Sequence, residues 1–355
     1  MDIAHKKTDD IIGKIEKEIS KEYKKAHKEI TKKADDYFAR FATKDDIWQN
    51  WVKDGKKTAE EYKKWRTGQI LVGKRWDEMR DTLAEDYANV AKISQSIANG
   101  YRPEVYALNH NYGTFQVEKG SKLDTSYTLY SRESVERLYR ENPKLYKRPG
   151  ADISRQIKEG KLKRWNRRRI QSVITQGILQ GESIPNLAKR LEAVTKGAHA
   201  AAIRNARTMI TGVENAGRID AFERANDLGI PTRKQWMATL DDRTRHWHRE
   251  LDGQIVDVDE PFTVALKDGT EDKIMYPGDV KADSSNIYNC RCTLVPAIEG
   301  FEMDLTDTSL RNDDNLSHQS YEEWEADHHS ASKPITSQEE TGDRIRDDYI
   351  RGYRG

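Results

Sequence analysis

Two segments of this chain concentrate the side chains able to do chemistry. The first, Lys234 to Gln254, reads KQWMATLDDRTRHWHRELDGQ and holds His246 and His248. The second, Asn286 to Pro296, reads NIYNCRCTLVP and holds both cysteines of the protein, Cys290 and Cys292. Two thiolates and an imidazole form a zinc-like ligand set, because Zn²⁺ takes sulfur and nitrogen donors in a tetrahedron. Asp241, Asp242 or water could supply the fourth position. A strand would place Cys290 and Cys292 on one face and Arg291 on the other. In a short helix capped by Asp241 or Asp242 and ended by Gly253, Asp241, Arg245, His248 and Asp252 share a face, and His246 points elsewhere. Two other readings stand beside the metal site. The thiols can fill core space while Arg243 and Arg291 pair with local carboxylates. Alternatively, Arg207, Arg245, His248 and Asp241 converge as a catalytic pocket. The C-x-C spacing is not that of common zinc knuckles, and the histidine is about forty residues away, so all three readings stay open.

A third chemical feature is basic. Lys161 to Arg169, KLKRWNRRR, carries six cations and no acid. Lys161, Lys163, Arg164, Arg167, Arg168 and Arg169 around Trp165 suit a nucleic-acid backbone through phosphate neutralisation and stacking. A solvated helix face is the other reading. The net charge of the whole chain is only +1, so no global field steers it toward DNA.

The elements that position these residues are mostly helical. Of 355 residues, 35% are hydrophobic and 34% charged, which predicts long solvated helices and a packed core in only part of the chain. From Ile12 to Phe41 the apolar residues Ile12, Ile15, Ile19, Tyr23, Ala26, Ile30, Ala34, Tyr37 and Phe41 repeat with an eleven-residue period, a nearly straight helix seam. A capping box at Thr58 to Glu61 opens a second helix, and Trp76, Met79, Leu83, Tyr87 and Val90 continue its stripe. Gly100 and Pro103 are expected to end it. The two helices can form a hairpin joined around Lys44 to Lys57. Residues 101–156 read as an irregular tyrosine-rich connector with two short strands and one helix near Glu133 to Asn142, the tyrosines serving mainly for packing.

Helical patterning resumes at Ile157, with Ile170, Val173, Ile174 and Ile178 on one face. A second helix is expected from Asn186 to Lys196, closed by Gly197, and a third from Ala198 to Leu228, closed by Gly229 and Pro231. Strand-like pieces follow. The fold class is mainly α: long N-terminal amphipathic helices over 1–100, the connector over 101–156, a helical segment with a small α+β C-terminal domain over 157–299, and a polar, acid-rich tail over 300–355 expected to be largely disordered. No run is long and apolar enough to span a membrane, the N-terminus lacks a signal-peptide core, and two cysteines make no disulfide framework. A reducing, cytoplasmic site of synthesis is the default.

The series A-R-T (Ala206 to Thr208), E-N-A-G-R (Glu214 to Arg218), L-D-D-R-T-R-x-x-H (Leu240 to His248), L-D-G-Q (Leu251 to Gln254), P-G-D (Pro277 to Asp279) and N-C-R-C (Asn289 to Cys292) resembles the phage Mu F-like domain of minor head, or head morphogenesis, proteins of tailed bacteriophages. The resemblance covers roughly Ile170 to Pro296. It singles out Arg207, Thr208, Arg218, Asp241, Asp242, Arg243, Thr244, Gly253, Asn289 and Arg291 as a structural motif. It implies a minor protein placed in few copies inside the procapsid, with the portal protein, scaffold or major capsid protein as partners and packaged DNA as a further contact. Its place would be the capsid interior, after assembly in the host cytoplasm. The metal-binding role suggested for the family carries over to His248, Cys290 and Cys292. The chain departs from the family in having Met209 where Glu often follows A-R-T, unless Glu214 substitutes further along the same helix. This departure weighs against an enzyme. The other function classes are a nuclease- or transferase-like effector carried in the virion and a free DNA-binding module.

Overall fold

The computed structural model describes residues 2–71, 74–123, 129–141, 161–180, 182, 184–266, 269–279, 281–298 and 320–330. It is mainly helical, and its helices run further than their punctuation suggests. Helices α1 (Ile3–Lys53), α2 (Ala59–Leu71) and α3 (Lys74–Ser121) lead. The α1 seam buries Ile15, Ile19, Tyr23, Ile30, Ala34 and Phe41 as the spacing requires. Ile11 and Phe38 are buried beside the half-buried Ile12 and Tyr37, so the stripe is wider than a single row. The reversal after α1 is confined to residues 54–58, shorter than expected, with Gly55 at φ +71°. The Thr58 capping box forms: the Thr58 amide donates to Glu61 Oε2 at 2.9 Å and the Glu61 amide to Thr58 Oγ1 at 3.1 Å.

The expected stop at Gly100 and Pro103 does not occur. Helix α3 passes through both. An interior proline costs about 3 kcal/mol. Here the stretch that follows buries Tyr101, Val105, Tyr106, Tyr112, Phe115 and Val117, and that packing outweighs the local penalty. Residues 101–121, expected to be irregular, are therefore helix. The short helix foreseen near Glu133 is α4 (Arg132–Glu141). Tyr101, Tyr106, Tyr112 and Tyr139 do pack in the interior. Of the alternating piece TSYTLYSR, residues 125–128 lie outside the described residues, and 129–131 lead into α4 without forming a strand.

Gly197 does not close a helix either. After α5 (Lys161–Leu179), a single helix α6 runs Ile184–Asp227. The missing Cβ makes room for a guanidinium: a methyl group there would sit 2.7 Å from a terminal nitrogen of Arg169. Helix α6 does end at Gly229 (φ +83°), where the Ile230 amide turns back to the Ala225 carbonyl at 2.9 Å.

The strands follow. β1 (Thr232–Met237) pairs antiparallel with β2 (Ile255–Asp257) and β5 (Thr293–Ile298) in the order β2-β1-β5, with Gln235 opposite Ile255 and Trp236 opposite Leu294. β3 (Phe262–Ala265) and β4 (Glu271–Ile274) make a separate hairpin. Short helices α7 (His246–Glu250) and α8 (Ser284–Ile287) sit in the connections. Part of the tail expected to be disordered is ordered: α9 (Tyr321–Ser330) buries Tyr321 and Trp324. The rest of 300–355 lies outside the described residues.

The chain divides into two compact units. One gathers described residues within Met1–Glu16, Ile97–Ala151 and Arg204–Asp348. Its core joins Phe222, Trp236, Leu251, Phe262, Ile274, Cys290, Cys292 and Leu294, with a second cluster of Ala4, Tyr112, Phe115, Tyr321 and Trp324. The other gathers described residues within Lys17–Ser96 and Asp152–Ile203, around Phe38, Trp76, Leu83, Ile170, Leu187 and Leu191.

Candidate metal centre

The histidine segment leaves β1 and folds into a tight turn before it becomes helical. The expected helix starting at Asp241 is shorter: α7 begins at His246, and Arg245 at its start makes no side-chain cap. Asp241 instead anchors the turn. Its Oδ1 accepts from the Arg243 amide (3.0 Å) and Thr244 Oγ1 (3.2 Å), and Thr244 Oγ1 also donates to the Thr239 carbonyl. Gly253 at φ +80° then returns the chain to the sheet, its amide donating to the Trp236 carbonyl at 2.9 Å. The result is that His248 is buried, with Trp236 edge-on to its ring at 5.4 Å. His246 lies in the solvent, its side chain 83% exposed.

The cysteine segment is held from the side by α6. Asn289 adopts φ +55°, a left-handed conformation that Asn tolerates. Its amide donates to Thr208 Oγ1 (3.2 Å), the Cys290 carbonyl accepts from Thr211 Oγ1 (3.1 Å), and the Cys292 carbonyl accepts from Asn215 Nδ2 (3.5 Å). The strand expected to hold the C-x-C begins only after it, with β5 at Thr293, yet the side chains still part. Cys290 and Cys292 turn inward, and Arg291 turns to Asp241, which it grips with two hydrogen bonds of 2.6 Å.

The three inward groups meet. His248 Nδ1 lies 3.6 Å from Cys290 Sγ and 3.6 Å from Cys292 Sγ, and all three ligand atoms fall within 4.8 Å of one another. Bond lengths of about 2.3 Å to sulfur and 2.0–2.1 Å to nitrogen put the N···S edge of a tetrahedral zinc site at about 3.6 Å. The donor set and its spacing fit the ion. The same distances suit S–H···N hydrogen bonds. The Cys292 hydrogen bond leads the effects that hold the Cys290 thiol below its ordinary pKa, against burial, and Arg245 favours the same shift. Cys292 is pushed well above its own, first by the hydrogen bond with Cys290 and then by burial. A bound Zn²⁺ would supply a crosslink between the α7 segment and the N-C-R-C turn, with His248 Nδ1, Cys290 Sγ and Cys292 Sγ as its protein ligands.

Asp241, weighed as the fourth ligand, is committed elsewhere. Hydrogen bonds from Arg291 depress its carboxyl strongly, with the Arg243 amide adding to the effect. Among the described residues, the group able to hold an ion is His248, Cys290 and Cys292. The catalytic convergence of Arg207, Arg245, His248 and Asp241 is not what forms. Arg207 pairs with Glu16, Arg245 donates to the Tyr288 carbonyl (2.5 Å), Asp241 holds Arg291, and His248 faces the thiols. Asp242 is exposed, and Arg243 is largely so.

Beside this centre lies a buried ion network that sequence reasoning missed. Arg218 has no exposed side-chain surface. It donates to both Asp2 carboxylate oxygens (2.6 and 2.9 Å), to Asn109 Oδ1 (3.1 Å) and to the Leu294 carbonyl (2.8 Å). Glu214, one helical turn back and also buried, lies 3.6 Å from Arg218, pairs with His5 Nδ1 at 2.7 Å and accepts from Thr293 Oγ1 at 3.0 Å. Burial opposes the charge on His5, but the Glu214 carboxylate raises it to about 9. Only the α6 half of this network is legible in the sequence, as E-N-A-G-R. Asp2, His5 and Asn109 carry no local sign of their role.

The basic run forms the start of α5. Asn166 and Ile170 face the core, while Arg164, Trp165, Arg167 and Arg168 face solvent. Lys163 pairs with Glu85, and Arg167 with Asp81 at 2.9 Å. The Arg169 guanidinium lies 5.1 Å over the Trp165 ring. The side chain of Lys161 lies outside the described residues.

Comparison with known proteins adds identity to this geometry. The chain is 27% identical over 297 residues to the minor head protein GP7 of Bacillus phage SPP1, covering 82% of this chain and 85% of that one. It is 32% identical over 165 residues to the NAD(+)--arginine ADP-ribosyltransferase EFV of Enterococcus faecalis, covering 46% of this chain but only 32% of that protein. It is 24% identical over 132 residues to the uncharacterised YqbB of Bacillus subtilis, 41% of that protein. The chain thus spans about a third to two fifths of the two bacterial relatives. No solved structure matches it. Residues 168–295, which contain the A-R-T helix, the histidine turn and the N-C-R-C turn, match the family model of Phage Mu protein F like proteins.

Proposed function

We propose that this chain is a minor head protein of a tailed bacteriophage, built into the procapsid in few copies near the portal, where it acts in head assembly and in the handling or ejection of packaged DNA. The observation that carries this is the similarity to a phage minor head protein along 82% of the chain, helices included. Portal, scaffold or major capsid protein are the partners. Packaged DNA meets the exposed basic stretch of α5, through Arg164, Trp165 and Arg168. The test is to purify procapsids and virions made with and without the gene. The protein should be found inside the head, and its loss should lower the yield of infectious particles. Absence from both particles would sink the proposal.

The metal is part of the same reading. His248, Cys290 and Cys292 are 1%, 3% and 2% exposed, which suits a structural staple and leaves no approach for a substrate. Elemental analysis of protein prepared without chelator should find about one zinc per chain, lost together with several kcal/mol of stability in Cys290→Ser/Cys292→Ser. Protein free of metal and as stable as ever would leave the thiols as packing groups.

A second reading, an enzymatic effector, is favoured by the name of the Enterococcus faecalis relative, of which this chain spans 32%. Incubating the chain with labelled NAD⁺ and arginine-bearing protein decides it. Transfer above background would replace the structural role.

A further inference from the structure

We infer that α9 is a detachable clamp: a short helix of this chain that seats in an aromatic groove on α3 and, while seated, locks the first turns of α1 onto the segment that matches the phage Mu F-like family. The groove is a cluster apart from the main core, built by Leu108, Tyr112 and Phe115 of α3 with Ile3 and Ala4 of α1. Helix α9 enters it with two anchors three residues apart, Tyr321 (1% exposed) and Trp324 (4%). Tyr321 meets Tyr112 edge-on at 5.2 Å and Phe115 at 5.6 Å, and Trp324 meets Phe115 at 5.5 Å. The seat is specific as well as apolar. Trp324 Nε1 donates to the buried Glu118 carboxylate at 2.7 Å, a charge-assisted bond.

The helix holds the N-terminus directly and indirectly. Directly, Lys7 pairs with Glu322 at 3.5 Å and lies 5.3 Å over the Tyr321 ring. Indirectly, Tyr321 backs Tyr112, the Tyr112 ring carries the Arg218 guanidinium at 5.4 Å, and Arg218 binds Asp2. One aromatic contact therefore connects the tail to the buried charge of the domain.

Its construction is that of a part that can leave. The helix has ten residues, too few to persist alone in water. It brings its own start signal, a Ser320–Glu323 capping box of 2.8 and 3.2 Å. Its remaining side chains are mostly polar or acidic, and residues 299–319 separate it from β5. Seating and release are governed by the two anchors, which supply the aromatic contacts and the bond to Glu118.

Hydrogen exchange on the full chain tests this. Amides of residues 320–330 and 3–10 should exchange with a common opening at least tenfold faster than those of β1 and β5. In Tyr321→Ala/Trp324→Ala, residues 3–10 should speed up at least tenfold more while β1 and β5 change less than twofold. Should that variant fail to fold, Glu118→Gln decides instead, with an expected acceleration of threefold or more in both segments. The clamp is overturned if 320–330 exchange as slowly as β1 and β5. It is equally overturned if 3–10 stay protected once 320–330 open, or if Glu118→Gln alters neither. A concentration-dependent dimer that shares the helix between copies would replace the intrachain clamp.

Discussion

Replacing Asp2 by asparagine should damage the C-terminal domain from more than two hundred residues away. Asp2→Asn preserves shape and removes one charge from the Arg218 pair. The Arg218 side chain is fully buried and that of Asp2 is 7% exposed, so neither charge is compensated by water. Breaking a buried pair by removing one partner costs about 3–5 kcal/mol. Glu214 at 3.6 Å and the Leu294 carbonyl at 2.8 Å remain, which places the expected loss near the lower end, about 3 kcal/mol. At roughly 2–4 °C per kcal/mol for a domain of this size, the melting midpoint should fall by about 6–12 °C. Thermal and urea unfolding of wild type, Asp2→Asn, Arg218→Met and the double variant measure it. The double variant should recover part of the loss, because an apolar residue leaves no orphaned charge. The dependence on pH supplies a further arm. Burial pushes the Asp2 carboxyl up, but the charge and hydrogen bonds of Arg218 outweigh it and hold the group below its ordinary value. A depressed folded value means the contribution is complete above the unfolded value of about 3.9 and is lost as pH falls through the folded one. The wild-type and Asp2→Asn stability curves should therefore separate above about pH 4 and converge below it. A loss under about 1 kcal/mol, or a double variant no more stable than Asp2→Asn, would refute the claim that the N-terminus neutralises Arg218.

His5 gives the opposite pH signature. Its folded value of about 9 lies above the ordinary 6.5, so its pairing with Glu214 stabilises fully below pH 6.5 and is lost as pH rises toward 9. Wild type should lose stability across that window and His5→Gln should lose less, as followed by urea midpoints; parallel curves would contradict the pairing. Two glycines of α6 should respond unequally. A Cβ at Gly217 would sit 2.6 Å from the Tyr106 carbonyl oxygen, which is backbone and cannot swing away, so Gly217→Ala should cost about 1–3 kcal/mol. At Gly197 the obstacle is the mobile end of Arg169, and alanine's helix propensity offsets it by up to about 1 kcal/mol. Equal destabilisation by both in thermal melts would show that the close approach is not what selects glycine at 217.

What could be read in the sequence was what is local. The α1 stripe, the Thr58 capping box and the Gly229 stop each lie within one or two helical turns, and each forms as spaced. The false stops at Gly100, Pro103 and Gly197 are also local signals, but there tertiary packing decides. Pro103 sits in a stretch of α3 where most residues are buried, and Gly197 is a socket for Arg169 from another helix. The tail shows the same failure in reverse. Tyr321 and Trp324 stand among polar residues, so no periodicity announces a helix, and their partners lie about two hundred residues earlier. At the candidate centre, residue type was enough to bring His248, Cys290 and Cys292 together. It was not enough for Asp241, since a carboxylate near ligands reads as a ligand until Arg291 is seen to occupy both its oxygens.

The buried network also bears on where the domain ends. The family match covers 168–295, yet three groups that satisfy its interior lie outside that span: Asp2 on Arg218, His5 on Glu214, and Asn109 on Arg218. Cut out alone, the matched segment would bury Arg218 and Glu214 with chiefly each other, 3.6 Å apart, and the Leu294 carbonyl and Thr293 hydroxyl for company. A buried charge so poorly matched costs several kcal/mol, a large share of what holds a domain of this size together. The segment that is recognisable in sequence is therefore smaller than the segment that can fold. Soluble, cooperative unfolding of 168–295 alone, with a midpoint near that of the full chain, would show the argument wrong. Fragment solubility restored by adding residues 1–16 and 97–121 in trans would show that the N-terminal helices are part of the domain rather than an arm attached to it.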